Sequence, residues 1–392
     1  MNLTILNDMT GCNGLSEFAL VFNGSVGLEK GGLFGASHLA EHCMCDQVKA
    51  IEPRLLELGL SWNAYTSDSE VCFILNGLDR GVREMADEFA MLILDFRIPE
   101  EVFERERGII LAEYDMCASD QEKVMWMNFM RRKYGSYGPI GRRKDMESLT
   151  YSDFISFKDR NFSSPSYVKF TRAKGTERLL KSGLKRAVEF LKPKGENKAS
   201  RWAREMAFGD YPRLDAERGS SFGQQRILLA CREFRSYELN GHSAYVYATI
   251  LTDMLSNGMT SILKREVREK LGCVYSVSAA LERVGQNRFL FVTSASANKG
   301  KVGLVERRLK EVFSDVISFI DAAAYRSSLT RIKARIEAEE CVRHSCILDG
   351  DRLKCRADIA SGAYDSRYRE FVGFTLSLDL KGASYFIDTD FR

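Results

Sequence analysis

Two of the four histidines of this 392-residue chain stand within five residues, His38-Leu39-Ala40-Glu41-His42, with a glutamate between them. On a helix, His38 and His42 lie one above the other and Glu41 sits beside them. Two imidazoles so placed can share one Zn2+ ion, and the carboxylate can reach a water on that metal. Cys43 and Cys45, one residue apart, are too close for a usual zinc pair and read as packing residues. A catalytic zinc needs a third protein ligand and an open position for water. The stretch IPEEVFERERGIILAEYDM, 98 to 116, offers one. Pro99 and the two glutamates behind it suit the first turn of a helix, and Glu106 and Glu113, seven apart, fall on one face. Glu113 can then serve as a ligand while Glu106 supports the site, by orienting an imidazole or adjusting the local charge. Taken singly, each also reads as a solvated helix residue.

The elements that must hold these groups are visible in the hydrophobic pattern. A glycine-rich turn precedes the histidines, and the spacing of Leu33, Leu39 and Met44 predicts a helix over 33–46. EFALVFN (17–23) and EVCFILNGL (70–78) are apolar and strand-length, whereas GVREMADEFAMLILDF (81–96) has helical spacing. KPKGENKASR (192–201) loses that periodicity and reads as a linker. Beyond it the order recurs: QRILLACREF (225–234) as strand, SAYVYATILTDMLS (243–256) as helix, RFLFVTSAS (288–296) as strand. The expected fold class is therefore α+β, with two similar α/β-sandwich halves, each a mixed sheet with helices on one face. The expected boundaries are 1–190 for the metal-binding half, 191–222 for the linker region and 223–392 for the second half.

Composition narrows the partners. With 57 basic against 54 acidic side chains, no whole-molecule field favours nucleic acid or an anionic membrane. The amino terminus lacks a basic region followed by an apolar one, and no apolar run is long enough to cross a bilayer, so the expectation is a soluble cytoplasmic protein. The ten cysteines are expected as reduced thiols. His344, between Cys341 and Cys346, reads as a buried helix residue in preference to a second metal site. RRKYGSYGPIGRRK (131–144) mixes cations with tyrosines in a way that can suit nucleic acid, and GLEKGGLFG lacks the ending of a phosphate loop.

The H-x-x-E-H order, with Glu113 some seventy residues on and Glu106 seven before it, resembles the inverzincin metallopeptidases of the pitrilysin, insulinase and mitochondrial-processing-peptidase group. NGSVGLEKGGLFGASHLAEH is similar to that family's approach to its zinc helix, and LGLSWNAYTSDSEVCFIL to its N-A-x-T-S segment and following strand. YGSYGPIGRRKDMESLTYSDFISFKDRNFSSPSYVKF is similar to its surface loop and helix, which turns the basic stretch away from nucleic acid. LTDMLSNGMTSILKREVREKLGCVYSVSA resembles its R-E-K-x-G-x-x-Y stretch. CMCDQVKA stands where the family has an aromatic residue and a G-T pair.

The resemblance implies a zinc endopeptidase that cuts peptides or unfolded segments in an enclosed chamber. It implies one Zn2+ per chain on His38, His42 and Glu113, Glu41 as general base and Glu106 in support. Asn63 and Ala64 would precede a strand whose edge takes an extended peptide, and Arg268 and Tyr275 would steady the substrate backbone and the developing oxyanion. A homodimer is the expected assembly, with a heterodimer of related subunits as the alternative. A non-catalytic binding subunit of the same family is the other functional reading.

Overall fold

The computed structural model describes residues 2–6, 14–23, 26–68, 70–94, 97–163, 165–171, 225–235, 238–239, 242–285, 288–298, 300–342 and 350–387. The expected linker region, 191–222, and His344 lie outside the described residues. The chain divides into two compact units, the first drawn mainly from the described residues up to 171 and the second mainly from those after 225.

The first unit is built on a five-stranded sheet in the order β1-β5-β2-β4-β3, with β1 (Asn2–Leu6), β2 (Leu15–Asn23), β3 (Leu60–Thr66), β4 (Glu70–Leu78) and β5 (Tyr167–Thr171). β1 and β5 run parallel and the other neighbours antiparallel, so the sheet is mixed. Strand alternation sends Phe18, Leu20 and Phe22 of β2 and Val71, Phe73 and Leu75 of β4 into the main core. Ala19, Val21, Cys72 and Ile74 point to the opposite face and are buried there too. Burial on both faces is why these strands read as unbroken apolar runs instead of alternating ones.

The core face is covered by helices. These are α1 (Ala36–Val48), α2 (Glu52–Glu57), α3 (Asp79–Leu94), α4 (Glu100–Ser119), α6 (Arg143–Ser148) and α7 (Tyr151–Asn161); α5 (Gln121–Tyr134) follows α4 in the chain, and its first residues, 121–125, group with the second unit. Leu39, Ala40, Cys43 and Met44 of α1, Met85, Phe89 and Ile93 of α3, and Phe154 and Phe157 of α7 meet the sheet there. α1 starts three residues later than the spacing of Leu33 suggested. Gly35 has a φ of 102°, a left-handed conformation that cannot continue a right-handed helix, so the first helical residue is Ala36. Gly141 packs so close to this turn that a Cβ there would overlap the backbone of Phe34 and Gly35. The Arg142 amide donates to the Phe34 carbonyl at 3.3 Å, and the Arg142 guanidinium lies over the rings of Phe34 and Tyr137 while pairing with Asp145. The basic, tyrosine-bearing stretch thus spends Arg142 on holding the turn that begins α1.

The second unit repeats the order of strand, helix, two antiparallel strands and helices. Its sheet runs β11-β6-β10-β9, and each neighbouring pair among the described residues is antiparallel. β6 (Gln225–Arg235), β7 (Glu238–Leu239) and β8 (His242–Ser243) lead into α8 (Ala244–Ser256). A π-helical turn over Lys264–Glu269 precedes the hairpin of β9 (Val274–Gly285) and β10 (Arg288–Asn298). α9 (Val302–Ser314), α10 (Ala322–Val342), α11 (Gly350–Ala360), α12 (Tyr368–Ser377) and β11 (Ser384–Ile387) complete the unit. Tyr247 and Leu251 of α8, Phe289 and Phe291 of β10, Leu309 of α9, Tyr325 of α10 and Phe371 and Phe374 of α12 share its core. The fold is α+β, built as two halves of like topology. Among the described residues no helix is long and apolar enough to cross a membrane.

Candidate metal centre

α1 carries His38, Glu41 and His42, and α4 packs beside it with Glu106 and Glu113. Pro99 precedes α4 with an extended backbone, and Glu100 and Glu101 occupy the first turn, where carboxylates offset the helix dipole. One face of α4 buries Val102, Phe103 and Ile110, and Glu106 lies buried on that side as well.

His38 Nε2 lies 3.7 Å from one carboxylate oxygen of Glu113, and His42 Nε2 lies 3.7 Å from the other. The two rings meet edge-on with centroids 4.7 Å apart. One ligand atom from each of His38, His42 and Glu113 falls within 4.8 Å of the others, and it is the cluster with metal-holding geometry found among the described residues. Ligands about 2.1 Å from a tetrahedral zinc stand about 3.4 Å apart, so this trio needs a small contraction to close on an ion. Two imidazoles and a carboxylate are also the donor types that zinc takes while keeping a fourth position open.

The surrounding charges favour ligation. Burial, with His42 alongside, lowers His38 to about 4, which keeps its imidazole neutral and its lone pair available. Glu106, 4% exposed, has Oε2 at 3.2 Å from His42 Nδ1. That contact places the His42 proton on Nδ1 and leaves Nε2 facing Glu113. Arg105 donates to the other Glu106 oxygen and to Asp46 of α1, so ion pairs tie α4 to α1 beside the site. Burial pushes the Glu41 carboxyl upward, opposed by a hydrogen bond that Thr66 Oγ1 donates to Glu41 Oε2 at 2.6 Å. Burial likewise pushes the thiols of Cys43 and Cys45 upward, so both remain protonated and neither belongs to the metal cluster.

Thr66 and Glu29 escaped the sequence reading. Thr66 ends β3, two residues after Ala64 on the same side of the strand, so strand alternation from the N-A-Y-T-S segment was the available signal. Glu29, 4% exposed, accepts the Gly35 and Ser37 amides, both at 2.8 Å, and thereby supplies from the preceding turn the cap that Gly35 lacks. Burial pushes its carboxyl up to about 8 against those bonds. Nothing local in the sequence pairs Glu29 with the start of α1.

Of the remaining expected residues, Asn63 and Ala64 belong to the first unit and Arg268 and Tyr275 to the second, and none is a member of the metal cluster. The expectation that Asn63 and Ala64 precede the edge strand is corrected: the strand that follows them, β4, is paired on both sides by β2 and β3, whereas the two residues lie within β3, the outer strand of the sheet, where the Asn63 side chain accepts the Ala64 amide at 2.9 Å. Arg268 lies in the π-helical turn of the second unit, half-buried, and Tyr275 stands at the start of β9, 75% exposed. Among the described residues neither side chain makes a hydrogen bond or ion pair.

Comparison with known proteins gives a consistent family. Residues 16–138 match the family model of insulinase, peptidase family M16, and residues 220–331 match that of the peptidase M16 inactive domain. A Rickettsia felis protein named an uncharacterized zinc protease is 22% identical over 83% of this chain and 75% of its own length. A Mycobacterium leprae protein of similar name is 25% identical over 72% of this chain, which spans 64% of that relative. A probable mitochondrial-processing peptidase β subunit of Arabidopsis thaliana is 24% identical over 34% of this chain and 27% of its own. The crystal structure of a protease from Helicobacter pylori superposes with a TM-score of 0.77 at 16% identity, covering 98% of this chain and 96% of the other.

Proposed function

Because the chain belongs to the M16 peptidase family, we propose that it is a zinc-dependent endopeptidase acting on peptides or unfolded segments. The observation that carries this reading is the convergence of His38, His42 and Glu113 on one point, with the Glu41 carboxylate beside them and anchored by Thr66. A Zn2+ ion bound by those three residues supplies Lewis-acid activation of water. Glu41 takes the proton from the attacking water and returns it to the leaving amine, a task suited by a carboxyl raised above its usual range. Glu106 keeps His42 in the tautomer that ligates.

β3 pairs with β4 on one side, and its other edge would accept an extended peptide through backbone hydrogen bonds, with Asn63 and Ala64 beneath it. Such recognition reads little side-chain information. Arg268 and Tyr275 would steady the substrate backbone and the developing oxyanion, in keeping with their uncommitted polar groups. The working assembly in this reading is a homodimer enclosing a chamber, with a related subunit as the alternative partner, in the cytoplasm. Light scattering at working concentration tests the dimer. The match to the inactive-domain model falls on the half that lacks H-x-x-E-H, so it leaves the catalytic reading of the first half intact.

The test is metal analysis together with cleavage of a quenched-fluorescent peptide library. One zinc per chain and cleavage abolished by a chelator are expected. A metal-free protein, or a zinc-loaded one that leaves the whole library uncut, overturns the reading.

A further inference from the structure

The segment Lys264-Arg265-Glu266-Val267-Arg268-Glu269-Lys270 crowds four cations around two carboxylates, and their pairing is unequal. Glu266 is 4% exposed and collects three of its cationic neighbours. It accepts from Lys270 Nζ at 2.5 Å, from Arg308 Nη2 at 2.5 Å and from Arg265 Nε at 3.2 Å. Arg308 reaches in from α9 and also donates its Nε to the Glu266 carbonyl at 3.0 Å. A π turn bonds residue i to i+5 where an α-helix bonds i to i+4, and such turns recur at functional sites. Here the turn's own backbone carbonyl is gripped from a second helix, so α9 sets where the turn lies. Two residues on, Arg268 is left uncommitted.

We infer that Glu266, clamped by Arg308, is a positioning residue that fixes the π turn and keeps the Arg268 guanidinium free and aimed for a carbonyl of an extended peptide. The inference rests on the reading of Arg268 as a substrate-binding group. Without the Glu266 carboxylate, Arg308 keeps only its bond to the backbone carbonyl, and its hold on the turn loosens. Arg265 and Lys270 would then be released as unpaired cations close in the chain to Arg268, while Arg308 would keep its pair with Glu311. Arg268 would keep its charge and lose its fixed geometry.

The test is a double-mutant cycle on peptide affinity. A fluorescein-labelled peptide taken from the cleaved members of the library is titrated against protein carrying Glu41→Gln, so that binding is read without turnover. Arg268→Ala is expected to weaken binding about tenfold or more, and Glu266→Gln about fivefold. Adding Glu266→Gln to Arg268→Ala should then cost less than about twofold further, because the first residue acts through the second. Arg308→Gln, on a partly exposed side chain, removes the same clamp and carries the test if Glu266→Gln does not fold. Normal affinity in Arg268→Ala sinks the substrate-binding reading and this inference with it. Weak binding in Arg268→Ala, combined with multiplying losses in the double variant or normal affinity in both Glu266→Gln and Arg308→Gln, overturns the inference alone.

Discussion

The helix pair α1 and α4 of the first unit and the pair α8 and α10 of the second occupy the same place in the order of elements, yet they solve opposite problems. Between α1 and α4, His38, His42 and Glu113 present acceptor atoms that converge. Between α8 and α10 stands Asp253, 4% exposed and fully supplied with donors. Ser328 Oγ and Asn257 Nδ2 each donate to it at 2.7 Å, Arg331 at 2.8 Å and Arg335 at 3.4 Å. A cavity of about 330 Å3 opens beside this cluster, lined by Thr249, Thr252, Ser256 and Leu281 among others. Two guanidinium groups thus give Asp253 the neutralisation that a cation would give, and its oxygens are saturated from within the chain. A binding site for a metal requires that the fold leave its acceptors wanting; among the described residues the helix pair of the first unit does so and that of the second does not.

The largest expected effect separates chemistry from ligation in the first unit. Glu41→Gln should lower kcat by about a thousandfold while one zinc stays bound, since it removes a base and no ligand. Metal analysis and peptide cleavage on the same sample check it, and a near-normal rate breaks the proposed role.

Next comes the pair of substitutions that sets the two helix interfaces against each other. Glu113→Gln should weaken zinc affinity by more than about a hundredfold, because a neutral amide is a poorer ligand than a carboxylate. Asp253→Asn should leave zinc affinity unchanged and cost about 1–3 kcal/mol of stability, discounted because Arg331 and Arg335 are nearly half-exposed. Chelator competition and chemical denaturation read the two quantities. Equal zinc loss in both variants would erase the contrast.

Glu106→Gln tests the orientation of His42, with an expected loss of about tenfold in zinc affinity and no loss of stoichiometry at saturating metal. The smallest effect is expected from replacing Cys43 and Cys45 with Ala. Cys43 is fully buried and Cys45 half-buried, so the double variant should lose about 1–2 kcal/mol through packing and keep its zinc. Loss of metal from a folded variant would make those thiols ligands.

How far the sequence reached follows from the range of the contacts. His38, Glu41 and His42 were legible because one turn of one helix brings them together. Glu106 and Glu113 were legible as a pair because seven residues make two turns, although nothing local said which helix they face. The spans of β2, β4, α3, β6, α8 and β10 followed from apolar runs, and the start of α1 shifted because one glycine adopts a left-handed conformation that spacing does not encode. Glu29 and the cations around Asp253 were illegible, and Thr66 was legible only as a position on a strand face, for a common reason. Each is an ordinary polar residue whose role comes from a partner elsewhere in the fold, 25 residues away for Thr66 and Glu41, and 78 for Arg331 and Asp253.

The close approach of Gly141 to Gly35 also bears on when the site can exist during synthesis. His38 and His42 leave the ribosome before Glu113, and as a lone helix they offer a divalent ion two imidazoles and no carboxylate clamp. Glu113 follows some seventy residues later, and the loop carrying Gly141, Arg142 and Asp145, which seats the turn before α1, later still. Such long-range closures form slowly, because a long stretch of chain must be ordered before the contact returns any free energy. If the cluster binds a metal as proposed, uptake at full affinity should therefore wait until residue 145 has emerged and folded back. A nascent chain arrested before that point carries the motif without the site.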